Sequence, residues 1–227
     1  MKRLFLAAFF VLTIAGCATK PQGPLAFNEK AMDARQNAVG IAIGPLPKVQ
    51  VNYPGADCLL CIGVAMAMNS SLEKHAEQLE AEDLKSLKAE IEKIFANRGF
   101  KTVALPVETL TKKYPKKDPQ VDDHAKSDYS ELKGEHKVDK VVLISINRIG
   151  FDRRFANYFP TSPPFAVAKG NVSLIDLNTN RYLAYKDIDL TVASKGEWDE
   201  PVKFPGLTSA YYEAIERFRV ETVKTFE

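Results

Sequence analysis

Lys140-Val-Val-Leu-Ile-Ser-Ile146 is the stretch that most narrows what this chain can fold into. Large aliphatic side chains occupy both alternating positions, so a strand built from it has two apolar faces. Both faces must be covered, and a sheet with helices packed on it is the layer arrangement that covers them. Other segments supply the neighbours. Val39-Gly-Ile-Ala-Ile43, closed by Gly44-Pro45, reads as a buried strand, and Lys101 to Leu105 as another, stopped by Pro106. Val172 to Leu177, a turn at Asn178-Thr-Asn180, and Arg181 to Val192 read as a hairpin. In its second strand Ile188, Leu190 and Val192 share one face, while Asp187, Asp189 and Thr191 share the other.

The helical signals interleave with these strands. From Asp83 to Asn97, Leu84, Leu87, Ile91, Ile94 and Phe95 recur every three or four residues, which predicts one apolar stripe. Gly99 follows as a C′ residue, with Phe100 placed to fold back onto Ile94 or Phe95. Leu207 to Phe226 carries a second stripe through Leu207, Tyr211, Ile215 and Phe218. Tyr129 to Lys137 suits a short helix, and Ser70-Ser-Leu-Glu73 has capping-box spacing. Thr111 to Asp128 is rich in lysine and proline and reads as a solvated insertion. No internal repeat is evident. The expected fold is α/β: a mixed sheet of about five strands with helices packed on it.

The amino terminus, MKRLFLAAFFVLTIAGC, addresses location. Lys2 and Arg3 precede an apolar run from Leu4 to Ile14, whose 11 residues fall short of the ~20 that span a bilayer. Small residues and Cys17 follow, which describes an exported leader. Ile14-Ala-Gly-Cys17 resembles a bacterial lipobox, which implies cleavage before Cys17 and acylation of its thiol; an ordinary leader would leave Cys17 a free thiol. The division is then residues 1–16 as signal peptide, 17–37 as lipidated cysteine and tether, and 38–227 as a periplasmic α/β domain. Extended, the tether would reach about 60 Å. Without the leader, 29 basic side chains balance 29 acidic ones, which argues against nucleic-acid binding. Ala18, rather than aspartate, follows Cys17; in the lipoproteins this resembles, that implies the outer membrane, with the domain in the periplasm.

VDKVVLISINRIGF, followed by VSLIDLNTNRYLAY, resembles the strand pattern of the curli-secretion lipoprotein CsgG and of the amino-terminal domain of TolB. Val138-Asp139 matches the turn into their central strand, and Leu174-Ile175-Asp176 matches their later strand. Asn180 stands where glycine is usual, and asparagine tolerates positive φ. The helix end Asn97-Arg-Gly-Phe-Lys101 fits the same scheme. The resemblance covers residues 39–226 and implies an anticodon-binding-like domain that works by binding proteins. The long alternating hairpins of the curli channel and the propeller of TolB have no counterpart in the sequence.

Three places could carry function. Cys58 and Cys61 form a CxxC whose structural reading is a local disulfide, or two packed thiols, in an oxidising compartment. A thiol-redox centre is the alternative, with Asp57 capping a helix that starts at Cys58. A zinc site lacks a second cysteine pair, and His75, His124 and His136 are scattered. Next, Leu59 to Met68 is free of charge. It reads either as core or as an oligomer or membrane contact through Ile62, Val64, Met66 and Met68. Third, Asn147 to Pro160 interleaves Arg148, Arg153 and Arg154 with Phe151, Phe155, Tyr158 and Phe159. That composition suits a partner-binding loop, or a long loop whose aromatics fold back on the sheet. If it docks a partner, replacing Arg153 and Arg154 together should abolish co-purification of envelope proteins while leaving thermal stability unchanged.

GxSxG, HExxH, Walker and Rossmann motifs are absent. Asp122-Asp123-His124 and Glu197-Trp198-Asp199-Glu200 read as solvated loops. The expected function is therefore a non-catalytic outer-membrane lipoprotein without cofactor or metal. It would be held to the membrane by its lipid and bind an envelope protein or itself, as an assembly or envelope-maintenance factor. An envelope glycan-binding or hydrolytic protein is the second reading, and redox work at Cys58 and Cys61 the third.

Overall fold

The computed structural model describes residues 21–32, 38–117 and 123–227. The leader, Cys17, residues 33–37 of the expected tether and Asp122 lie outside the described residues. The strands are β1 (Ala38–Ile43), β2 (Gln50–Asn52), β3 (Lys101–Ala104), β4 (Lys140–Asp152), β5 (Phe155–Ala156), β6 (Phe159–Pro160), β7 (Phe165–Asp176) and β8 (Arg181–Ala193). The helices are α1 (Leu59–Met68), α2 (Ser70–Ala76), α3 (Glu82–Lys85), α4 (Leu87–Asn97), α5 (Glu108–Thr111), α6 (Glu131–His136) and α7 (Pro205–Lys224). The main sheet runs β3-β1-β4-β7-β8, parallel among the first three and antiparallel thereafter. The α/β expectation holds, with β2 as a further strand. It pairs with the far end of β4 on the side that β1 leaves free.

β4 is central, and a bulge divides it. Val142, Ile144 and Ile146 face one layer and Val141 and Leu143 the other. Asn147 has no partner in the ladder with β7, so the alternation slips by one residue and Ile149 and Phe151 return to the first face. That layer is filled by α2, α3, α4 and α7: Leu72, Leu84, Leu87, Ile91, Phe95, Tyr211, Ile215 and Phe218 are all essentially inaccessible. The opposite layer covers only the half of the sheet around Val141 and Leu143, through Leu132 of α6, Leu105 and Leu177. Beyond the bulge that face turns polar, with Arg148 on Asp152 (2.6 Å) and Lys169 on Asp189 (2.7 Å).

Several local expectations are modified. The helix expected from Asp83 is two, because Ser86 donates its hydroxyl to the Asp83 carbonyl (2.7 Å) and interrupts the pattern. Gly99 does adopt φ +84°, and Phe100 packs edge-on to Phe95. The capping box at Ser70 does not form: Asn69 precedes α2, and Glu73 accepts the Tyr53 hydroxyl (2.8 Å) instead. Asn180 takes φ +56° at the hairpin turn. Its buried side-chain amide donates to the carbonyls of Ala125 (3.2 Å) and Ser127 (3.0 Å), tying part of the insertion down.

The tether expectation changes most. Leu25 exchanges backbone hydrogen bonds with Tyr185 (2.8 and 2.9 Å), and the Asn28 amide donates to Leu183 (2.9 Å). Phe27 packs edge-on to Phe95 and Phe226, with the Arg98 guanidinium 5.1 Å from its ring. An apolar anchor and spare ladder positions on edge strand β8 thus hold a segment whose composition reads as free. Phe27→Ala should cost about 1–2 kcal/mol in chemical denaturation. It should also speed amide exchange at Tyr185, while exchange in β4 stays slow.

Candidate functional site

The two stretches singled out beside the central strand meet at one end of the sheet. Three hydrogen bonds join the Asn52–Gly55 strand end and turn to the β5–β6 hairpin. The Arg153 amide donates to Asn52 (2.9 Å), Phe155 to Pro54 (2.8 Å) and Asn157 to Gly55 (2.9 Å). Gly55 has φ +90°, and a Cβ there would lie 2.0 Å from the Phe155 carbonyl oxygen, so only glycine permits this approach. Phe155 then sits against Tyr53, Ala56, Cys61 and Ala65, a small apolar cluster that seats α1 on the hairpin.

Cys58 is the N-cap of α1, in place of the expected Asp57, and its sulfur accepts the Cys61 amide (3.0 Å). The two cysteines form a disulfide across the first turn, with Cα atoms 4.9 Å apart. At the other end the Asn69 side-chain amide donates to the Ala65 carbonyl (2.7 Å). Arg153 donates to the Asn69 side-chain oxygen (2.6 Å) and lies 4.6 Å from the Trp198 ring.

Between these ties, α1 is apolar and open. Only Cys61 and Ala65 are buried; Leu59 is 90% exposed, Leu60 74%, Ile62 39%, Val64 39%, Met66 45% and Met68 53%. The reading of the tract as core is therefore overturned. Ile62, Val64, Met66 and Met68 are exposed, but their spacing of two is a strand's period and they do not share one helix face. Leu59 and Leu60, which that selection passed over, are the most open of all. Phe159, 74% exposed, and Tyr158 stand at the hairpin beside them, with the Tyr158 hydroxyl 3.7 Å from the Cys58 sulfur.

The expected partner-binding loop separates into different roles. Arg148 and Phe151 belong to β4, where Arg148 pairs with Asp152 and Phe151 is fully buried against Tyr211. Phe155 is buried in the cluster beneath α1. Arg153 is a structural bridge. Arg154 is exposed, 5.3 Å from the Phe165 ring. Of the seven named residues, Phe151 and Phe155 are thus removed from contact with any partner, because the core takes their rings. Nor is Trp198 free for a sugar: it stacks on Phe204 (6.2 Å, 7°) and meets Arg153. A cleft of about 410 Å³ beside it is lined by Arg154, Phe165, Glu197 and Trp198. Among the described residues no group of three or more His, Cys, Asp and Glu could hold a metal ion.

No protein-family model matches this chain. No curated protein does either. Solved structures with some likeness include the PelC dodecamer of Paraburkholderia phytofirmans, at 8% identity and TM-score 0.36, covering 90% of this chain and 94% of that one. Protein XCC0632 of Xanthomonas campestris has 14% identity and TM-score 0.34, covering 84% and 86%. Lipoprotein GNA1162 of Neisseria meningitidis has 11% identity and TM-score 0.28, covering 81% and 99%. Likenesses this low say nothing about function.

Two consequences are measurable. Arg153→Ala should lower stability by about 1–3 kcal/mol, since it strands the Asn69 oxygen and bares Trp198. Arg154→Ala should change it by less than about 0.5 kcal/mol. This reverses, for Arg153, the expectation that both could be replaced without loss of thermal stability. His75, 2.7 Å from the Thr208 hydroxyl, is held below its ordinary pKa of 6.5 by burial and then by Lys203. A depressed imidazole contributes stability that is full above that value and is lost as pH falls through the folded pKa. Melting profiles from pH 7.5 to 5 should therefore be flatter for His75→Gln than for the parent.

Proposed function

We propose that this chain is a non-catalytic, outer-membrane-anchored lipoprotein whose periplasmic domain acts by association, as an assembly or envelope-maintenance factor. The observation that carries this reading is α1: ten residues without a charge, most of them open to solvent, on a domain whose core is otherwise closed. Monomeric proteins seldom expose contiguous apolar patches of this kind unless something covers them. The lipobox resemblance at Cys17 supplies the location. The resemblance of the strand sequences to CsgG and to the amino-terminal domain of TolB adds protein binding, with self-association as one form.

The reading has a direct chemical test. In a Gram-negative host, labelled palmitate should enter the parent, and Cys17→Ser should take up none and fractionate differently. Equal processing and fractionation of the two would overturn it. Retention on peptidoglycan by the parent, lost on mutation around the Trp198 cleft, would favour the glycan reading instead.

A further inference from the structure

The geometry points to the occupant of the apolar end: α1, with Tyr158 and Phe159, lies in the interface of the bilayer that holds the lipid anchor. This rests on the lipoprotein reading and adds an orientation to it.

Four observations converge. First, the exposed apolar side chains are gathered at one end. Among the described residues eleven large hydrophobics are exposed; six are on α1, two are Tyr158 and Phe159, and Val202 lies in the loop after β8 at the same end of the sheet. Second, their arrangement on α1 suits a fluid cover. At ~100° per residue, Ile62, Met66, Leu59, Ala67, Leu60, Val64 and Met68 sweep an arc of about 240°. A partner protein covers a stripe of roughly 100°; acyl chains and headgroups can wrap the rest. The helix is also thin enough, at about 10 Å, for the depth that interfacial segments occupy.

Third, the described amino-terminal segment approaches from this end. Leu25 to Asn28 runs antiparallel to β8, so residues preceding Leu25 enter from the direction of Ala193 and the hairpin. Leu25 lies eight steps along the chain from Cys17, a reach of at most about 26–29 Å. Tyr185 to Ala193 is also eight steps, or about 27 Å of strand. The anchor can therefore reach the level of α1 but go little beyond it, and the domain must sit close to the membrane. Fourth, polar groups at both ends of α1 are engaged, the Cys61 amide by Cys58 and the Ala65 carbonyl by Asn69, which lowers the cost of leaving water.

The test uses the full chain, processed and acylated in a Gram-negative host and reconstituted into phosphatidylethanolamine–phosphatidylglycerol vesicles carrying brominated acyl chains. The native Trp198 sets the baseline. Leu60→Trp should show at least about twofold more quenching than the parent, while Thr179→Trp, at the opposite turn of the sheet, should show no excess. Met66→Trp gives the same readout should Leu60→Trp fail to fold. Vesicle flotation of protein without excess quenching at either α1 position overturns the inference and leaves the anchor reading standing. In that case, cross-linking between copies through α1 would identify a second copy as the cover. Failure to float at all overturns both.

Discussion

β4 is the constraint on which the rest depends. It is paired with β7 through almost its whole length and, on its other side, with β1 and then β2 in succession. A strand of 13 residues, held by β7 along one side and by β1 and β2 at the two ends of the other, sets the orientation of everything attached to it. Its near half is apolar on both faces and draws helices to each. Its far half, past Asn147, keeps only the helix-covered face apolar and exposes a polar one. Gly150 makes the second pairing possible: at φ +133°, a Cβ there would lie 2.1 Å from the Gln50 carbonyl oxygen. The place where β2 joins β4 is thus the place where the chain leaves the sheet to make α1.

The hairpin and α1 inherit their position from that junction. Tyr53, Gly55 and Phe155 form a pedestal in which a tight turn, an edge-on aromatic pair (5.6 Å) and backbone hydrogen bonds cooperate. Arg153 fastens the far end of α1 by way of Asn69. A short apolar helix held so firmly, at both ends and from below, is not a piece of core that failed to close. Its remaining surface is open to another phase or another chain.

Much of this was legible beforehand, for identifiable reasons. Period-two alternation exposed the faces of β8, and three- and four-residue spacing exposed the buried stripes of α4 and α7, because each of those elements has one dry face and one wet one. The second half of β4 was illegible because the bulge resets the alternation; residues 147–152 then look irregular and read as loop. The docked Leu25–Asn28 segment was hidden in the same way. It has one apolar side chain that matters, Phe27, and its hydrogen bonds are to a strand edge that composition cannot reveal. Arg153 looked like a contact residue because arginine among aromatics suits an interface and an internal brace equally well.

Local pattern and composition were enough to give the class of the fold, the order of its principal strands and helices, and the absence of charge from Leu59 to Met68. Which side of that uncharged tract meets water, and that it shares one end of the sheet with Tyr158 and Phe159, depends on long-range packing. Periodicity reports that a segment has apolar faces. It cannot report whether the fold has enough neighbours to cover them, and around α1 the neighbours reach only Cys61 and Ala65.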